Sequence, residues 1–150
     1  MMRYLLYDTA HGKTTLKKEI EFIESYITLM KLRFPEKVAV TLSLPKQIID
    51  IEIPPMLFIS FLENAFKHGV SYQSESFVSF KIEQTTNRLI SIIRNSKHSN
   101  LGISEASYSG IGMANIKKSL KLLYGNDYTL NIVEDEKEFE VQLIIPVYDN

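Results

Sequence analysis

Apolar residues recur along this chain in two rhythms. Leu16, Ile20, Ile23, Ile27, Met30 and Phe34 follow one another at alternating steps of four and three. That spacing puts them on one face of a helix, predicted from about Leu16 to Phe34, with Thr15 as its N-cap and Pro35 ending it. A four-three seam suits a coiled coil or helical hairpin, and a seam this short equally suits a surface helix packed on its own domain. Over Lys37 to Leu44 the rhythm changes to two. Val38, Val40, Leu42 and Leu44 alternate with polar or small residues, as on a half-buried strand. Pro54-Pro55 opens a second helix, with Pro55 suited to its first turn, running to about His68 and ending at Gly69. Val78, Phe80 and Ile82 mark a strand, and Leu89 to Ile93 another, with Thr85 to Arg88 turning between them. Ser96 to Ser109 reads as a polar loop. Gly110 to Gly112 leads into a third helix with Met113, Ile116, Leu120 and Leu123 on its apolar face, closed near Tyr124 by Gly125. Strands over Tyr128 to Val133 and Phe139 to Ile145 form a hairpin around the acidic turn Glu134 to Lys137. Before all of these, Arg3 to Tyr7 reads as a short helical piece ending near Gly12. Strands interleaved with helices and closed by a hairpin predict an α/β (α+β) two-layer sandwich, a mixed sheet covered by helices on one face.

Composition narrows the function. The 150 residues predict one domain with a short appendage, and 45% hydrophobic residues are enough for a real core. A net charge of −1, from 17 basic and 18 acidic side chains, gives no nucleic-acid footprint. The absence of cysteine removes disulfides and thiolate metal sites, and His11, His68 and His98 stand too far apart for a metal-ligand spacing. No apolar run reaches the ~18 residues of a membrane span and no signal peptide opens the chain. The expectation is a soluble, cytoplasmic piece without membrane contact, and the doubled Met1-Met2 suggests an excerpt of something longer.

The second predicted helix carries the candidate chemistry. Met56, Leu57, Phe58, Ile59, Phe61, Leu62, Ala65 and Phe66 make it apolar nearly all round, so it is expected to be buried. Ser60, Glu63, Asn64 and Lys67, at i, i+3, i+4 and i+7, nevertheless share one stripe, with His68 beside it. A buried stripe holding an acid, an amide and a base needs partners. Its plain alternative is the solvent face of an amphipathic helix, with Glu63 and Lys67 as an i,i+4 ion pair. Ser109-Gly110-Ile111-Gly112 directly precedes the third helix. Glycines there let backbone N–H groups approach an anion at a helix N-terminus. Taken with the carboxylate–amide–lysine stripe, this outlines a Mg-nucleotide site, the amide and carboxylate serving metal and acceptor, the lysine and loop amides serving phosphate.

These residues resemble the GHKL-type ATPase domain of the LytS-type sensor histidine kinases. Glu63-Asn64-Ala65-Phe66-Lys67-His68-Gly69 looks like that family's N box, preceded by its Ile53-Pro54-Pro55. Ser109-Gly110-Ile111-Gly112-Met113-Ala114-Asn115 looks like its second glycine box, and Val141 to Pro146 is similar to its last strand. Glu19-Ile20-Glu21, Tyr26 and Lys31-Leu32-Arg33-Phe34 resemble the link from the dimerisation helix, and Arg3-Tyr4-Leu5-Leu6-Tyr7 the tail of the dimerisation hairpin. The resemblance implies residues 1–34 as a remnant of that hairpin and linker, and 35–150 as the ATP-binding catalytic domain. It implies ATP and Mg²⁺ as cofactors and γ-phosphoryl transfer to a histidine. Glu63 would polarise the acceptor and Asn64 would ligate Mg²⁺. Lys67 and His68 would face phosphate, Asn95 would bind nucleotide, and Gly110, Ile111 and Gly112 would hinge the ATP lid. In the full-length kinase it implies a homodimer and a response-regulator partner, in the cytoplasmic part of a sensor that can be membrane-anchored.

Several departures follow from the same resemblance. The phosphoacceptor histidine lies upstream in the family, and His11, His68 and His98 do not fit it, so autophosphorylation of this chain alone is not expected. Arg94-Asn95-Ser96 stands where the first glycine box would have Asp-Asn-Gly, so Arg94 falls on the adenine-reading aspartate, and arginine cannot accept a hydrogen bond. Phe139 falls on the threonine that helps hold an adenine-contacting water. A nucleotide-poor pseudo-kinase interaction module is the alternative that Arg94 and Phe139 favour, and an anti-sigma serine kinase of the same group is a further one.

Overall fold

In the computed structural model, the described residues are 14–34, 38–71, 74–97 and 111–147. The helical piece expected at Arg3 to Tyr7, Gly110, and nearly all of the Ser96 to Ser109 loop lie outside them. The core is one cluster in which both helices of the N-terminal half meet one face of the sheet.

Helix α1 (Leu16–Arg33) follows the two-residue strand β1 (Thr14–Thr15). The Thr15 side chain accepts from the Lys18 N–H at 3.3 Å, as an N-cap should. Lys31 and Arg33 sit in the last turn, where the helix dipole favours them. Leu16, Ile20, Ile23 and Ile27 of the seam are buried in the chain's own core, and Met30 and Phe34 pack against it. Helix α2 (Leu57–Gly69) starts later than its prolines suggest. Pro54 precedes another proline, which disfavours the helical region for it. The turn through Pro55 ends on Met56, whose φ is 64°, and the helix begins only beyond it. Pro55 is therefore outside the first turn.

The main sheet has the order β2-β4-β5-β7-β6: β2 (Val38–Ser43), β4 (Ser76–Gln84), β5 (Arg88–Ser96), β7 (Glu138–Pro146) and, at the far edge, β6 (Thr129–Glu134). β2 pairs with β4 in parallel across the α2 crossover, and every other pairing in this sheet is antiparallel. Val78, Phe80, Ile82, Leu89, Ile93, Val141, Leu143 and Ile145 point into the core, and the Phe58 ring of α2 meets Phe80 edge-on at 5.7 Å. Helices thus cover one face, as the alternation predicted.

Three details were not foreseen. A second, two-stranded sheet joins β1 to β3 (Glu52–Ile53). β5 continues through Arg94, Asn95 and Ser96, which look like loop residues but pair with Glu140, Phe139 and Glu138. On α3 (Ile111–Tyr124), Ile116 and Leu120 are buried as expected, while Leu123 is exposed. The two expected closures do hold. Gly125, at φ 62°, ends α3 with its N–H on the Lys121 carbonyl, and Asp135 turns the last hairpin by accepting from the Lys137 and Glu138 N–H groups, each at 2.7 Å.

Candidate functional site

The polar stripe of α2 is not buried. Glu63 and Lys67 are exposed, and Asn64 and Ser60 are half-buried, while the rest of the helix from Leu57 to Phe66 is sunk in the core. The stripe emerges because the apolar residues occupy the remaining three sides. Ser60 returns its hydroxyl to the Met56 carbonyl at 2.9 Å. Among the described residues no ion pair joins Glu63 to Lys67. Both are thus left accessible to something outside the helix.

What they face is a cleft of about 360 Å³ between the C-terminal ends of α1 and α2. Tyr26, Arg33 and Phe34 line it on one side, and Glu63, Phe66 and Lys67 on the other. Its floor is aromatic: Phe34 stacks parallel to Phe66 at 5.9 Å, and Tyr26 meets Phe66 edge-on at 5.8 Å. Burial, reinforced by the Glu63 carboxylate and opposed by Arg33, pushes the Tyr26 hydroxyl up to about 12. Tyr26 therefore remains a protonated donor beside Glu63.

On another side of α2, the helix end is locked to β5. Asn95 is 1% exposed, and a Cβ placed on Gly69 would stand 2.7 Å from its Cβ. Only glycine fits there. Ser96 donates its hydroxyl to the Gly69 carbonyl at 2.6 Å, and the Asn95 side-chain N–H₂ donates to the Ser96 carbonyl at 2.9 Å. His68, in the last turn, is buried, and its pKa is lowered first by that burial and then by the Lys67 charge. It is a neutral imidazole at neutral pH.

Strand parity corrects the place of Arg94. Alternate residues of a strand face opposite ways, and Arg94 lies on the open face, away from the helices. Its guanidinium bonds Glu138 at 2.6 Å, approaches Glu140 at 3.6 Å and covers the Phe77 ring at 5.7 Å. The Glu138 bond is the main reason its pKa is raised. It is Asn95, one residue on, that faces α2, with Phe139 directly opposite on β7 and also buried. The second glycine box is only partly visible: Ile111 and Gly112 open α3, and Gly110 lies outside the described residues. Among the described residues no cluster of three or more His, Asp or Glu side chains could hold a metal by itself. No described helix is long and apolar enough to cross a membrane.

Sequence reasoning missed two contributors: the cleft wall supplied by Tyr26, Arg33 and Phe34, and the buried acid Glu19. Glu19, Tyr26 and the Arg33-Phe34 pair did stand out as part of a linker motif, but their approach to α2 is a tertiary contact with no local signal.

The sandwich just described is the fold of histidine-kinase catalytic domains. It overlays the nucleotide-free catalytic domain of histidine kinase ThkA with a TM-score of 0.66 at 12% identity, over 89% of this chain and 93% of that one. It also overlays ThkA in complex with the response regulator TrrA, with a TM-score of 0.62 at 12% identity, over 89% of this chain and 41% of that one. The sequence is similar, along nearly its whole length, to LytS-type sensors. Sensor protein LytS of Oceanobacillus iheyensis is 27% identical over 97% of this chain and 27% of its own length. Sensor histidine kinase BtsS of Escherichia coli K12 is 27% identical over 90% of this chain and 24% of its own length. Residues 1–38 match the Histidine kinase family. The chain spans about a quarter of the length of these relatives.

Proposed function

We propose that this chain is the ATP-binding catalytic domain of a sensor histidine kinase, serving γ-phosphoryl transfer to a histidine outside it. The observation that carries this reading is the Glu63–Asn64–Lys67 stripe, accessible on a helix that is otherwise core. The donor set suits Mg²⁺, which takes few protein oxygens and completes its shell with phosphate and water. Asn64 would supply its amide oxygen, and the bound ion would neutralise charge on the phosphates. Lys67 contributes a charge-assisted contact to phosphate. His68, the next residue, is buried in the last turn of the same helix. Glu63 polarises the accepting imidazole by taking its ring proton into a hydrogen bond. Asn95, which donates one side-chain N–H to the Ser96 carbonyl, would offer its amide oxygen as acceptor for the exocyclic amine of adenine. Ile111 and Gly112 begin α3, where backbone N–H groups can meet an anion, and the resemblance would make them, with Gly110, the hinge of the ATP lid. Catalysis of this kind is positioning and charge stabilisation.

Residues 1–34 then lead in from a dimerisation hairpin and 35–150 form the ATP-binding part, α1 being built into its core. In the whole kinase the partners are a second copy and a response regulator, and the location is the cytoplasmic side of the sensor. The pseudo-kinase alternative loses Arg94 as support, because that residue engages Glu138 on the other face. Phe139 remains in its favour.

Calorimetric titration with ADP and Mg²⁺ tests the proposal. Saturable, Mg²⁺-dependent binding that Asn64→Ala weakens is expected. A folded sample that gives no binding at millimolar ATP or ADP overturns it.

A further inference from the structure

Glu19 is a carboxylate with no part in the chemistry above, and it is completely buried (0% exposed) in the first turn of α1. Burying an acid in an apolar core is costly unless donors or a positive potential meet it. Here both come from α2. The Glu19 Oε1 accepts from the Phe58 N–H in the first turn of that helix, at 3.2 Å. This is where a helix presents unsatisfied N–H groups and the positive end of its dipole. α2 has no local means of meeting that need. Its N-cap residue, Met56, makes no side-chain capping bond and, just after Pro54-Pro55, adopts a left-handed φ of 64°. The cap that sequence-local chemistry normally supplies is delivered from 39 residues away. At the other end of α2, α1 engages Phe66 through Tyr26, and Phe34, just beyond α1, stacks on the same ring. α1 and the residue that ends it thus hold the candidate site helix at both ends.

We propose that Glu19 is a positioning residue for the N box: by capping α2 across the core it sets the helix that presents Glu63, Asn64 and Lys67. This rests on the reading of α2 as the nucleotide-binding helix. An apolar residue of similar size would fill the same space, but it would leave the start of α2 uncapped and the stripe free to fray and rotate.

The test compares Glu19→Ala and Glu19→Gln with wild type in the 150-residue chain. It uses amide hydrogen exchange of the ligand-free protein and calorimetric affinity for Mg·ADP. In Glu19→Ala the amides from Phe58 to Asn64 should exchange at least about tenfold faster, with β4, β5 and β7 amides changed much less. Affinity should fall about tenfold, and Glu19→Gln, which keeps an acceptor oxygen, should restore most of both. Unchanged exchange in α2, an equal rise across the sheet, or wild-type affinity in folded Glu19→Ala overturns the proposal. Should Glu19→Ala not fold, Glu19→Asp, one methylene short of Phe58, takes its place in both arms. Wild-type protein that takes no Mg·ADP overturns the nucleotide reading instead, and the exchange arm still decides whether Glu19 holds α2.

Discussion

Arg94 and Asn95 are neighbours on β5 and face opposite ways. Arg94 lies on the open side of the sheet in a half-exposed ladder with Glu138 and Glu140, over the Phe77 ring. Asn95 is shut beneath the end of α2, against Gly69 and across from Phe139. A motif aligned by letters puts Arg94 where the family's adenine-reading aspartate belongs. Strand parity puts Asn95, not Arg94, on the face that α2 covers, and the proposed reading gives it that place. One residue of register moves a side chain to the other face of a sheet, so a strand motif has to be matched by face before it is matched by residue type. On the proposed reading the inner-face position retains an acceptor, and Arg94, paired with Glu138 on the other face, no longer argues against nucleotide binding.

The contrast between the faces can be broken or sharpened by substitution. The largest effect is expected at Gly69, where Gly→Ala would ordinarily favour a helix. Here the new Cβ would meet Asn95 at 2.7 Å. Overpacking of this kind costs about 1–3 kcal/mol, so denaturant unfolding of Gly69→Ala should show a loss, and a gain in stability would mean that the helix end and β5 are not packed this closely. Next comes Asn95→Leu, which removes the inner-face acceptor. It should weaken Mg·ADP binding about tenfold, the worth of one hydrogen bond, in a calorimetric comparison with wild type. Equal affinities would remove Asn95 from the site.

On the outer face the effects shrink. Arg94→Ala breaks a pair whose members are each about 40% exposed, and such pairs are worth only about 0–1 kcal/mol. Its nucleotide affinity should equal that of wild type, and Arg94→Asp should likewise bring no gain. Tighter binding in Arg94→Asp would restore the letter-by-letter alignment. The smallest effect is the pH response of His68. Burial lowers its pKa in the folded state below the ordinary value of about 6.5. The unfolded chain therefore binds this proton more readily, and the stability tied to His68 is present above that value. It is lost as pH falls from about 6.5 toward the depressed folded value. Urea unfolding at a series of pH values should show this slope, and His68→Gln should flatten it.

Much of this architecture was legible because alternation and helical periodicity are local. The strands of the mixed sheet, the three helices of the described residues and the one-sided covering followed from spacing together with the proline and glycine boundaries. The start of α2 was not legible: Pro54-Pro55 looks like a helix opening, and the residue that caps the helix, Glu19, sits in another element. The end of β5 is not legible either: the apolar strand signal stops at Ile93, because Arg94, Asn95 and Ser96 are polar. They stay in the ladder since β7 runs opposite them, and each side chain finds a partner: Arg94 on Glu138 of β7, Asn95 on the Ser96 carbonyl, and Ser96 on the Gly69 carbonyl of α2. The stripe on α2 is legible by its spacing, but spacing leaves a buried stripe and a solvent face equally open; the structure has the solvent face, without the Glu63–Lys67 ion pair that went with it. The cleft wall from Tyr26, Arg33 and Phe34 depends on how α1 crosses α2, which no local pattern encodes.

The most direct measurement of the central claim is amide and side-chain NMR of the 150-residue chain during titration with Mg·ADP. Shifts should concentrate at Asn64, Lys67 and Gly69 on α2 and at the Asn95 side-chain amide, leaving the Arg94 guanidinium and the Glu138 and Glu140 amides in place. Shifts gathered around Arg94 on the open face, or a spectrum unchanged at millimolar nucleotide, would contradict it.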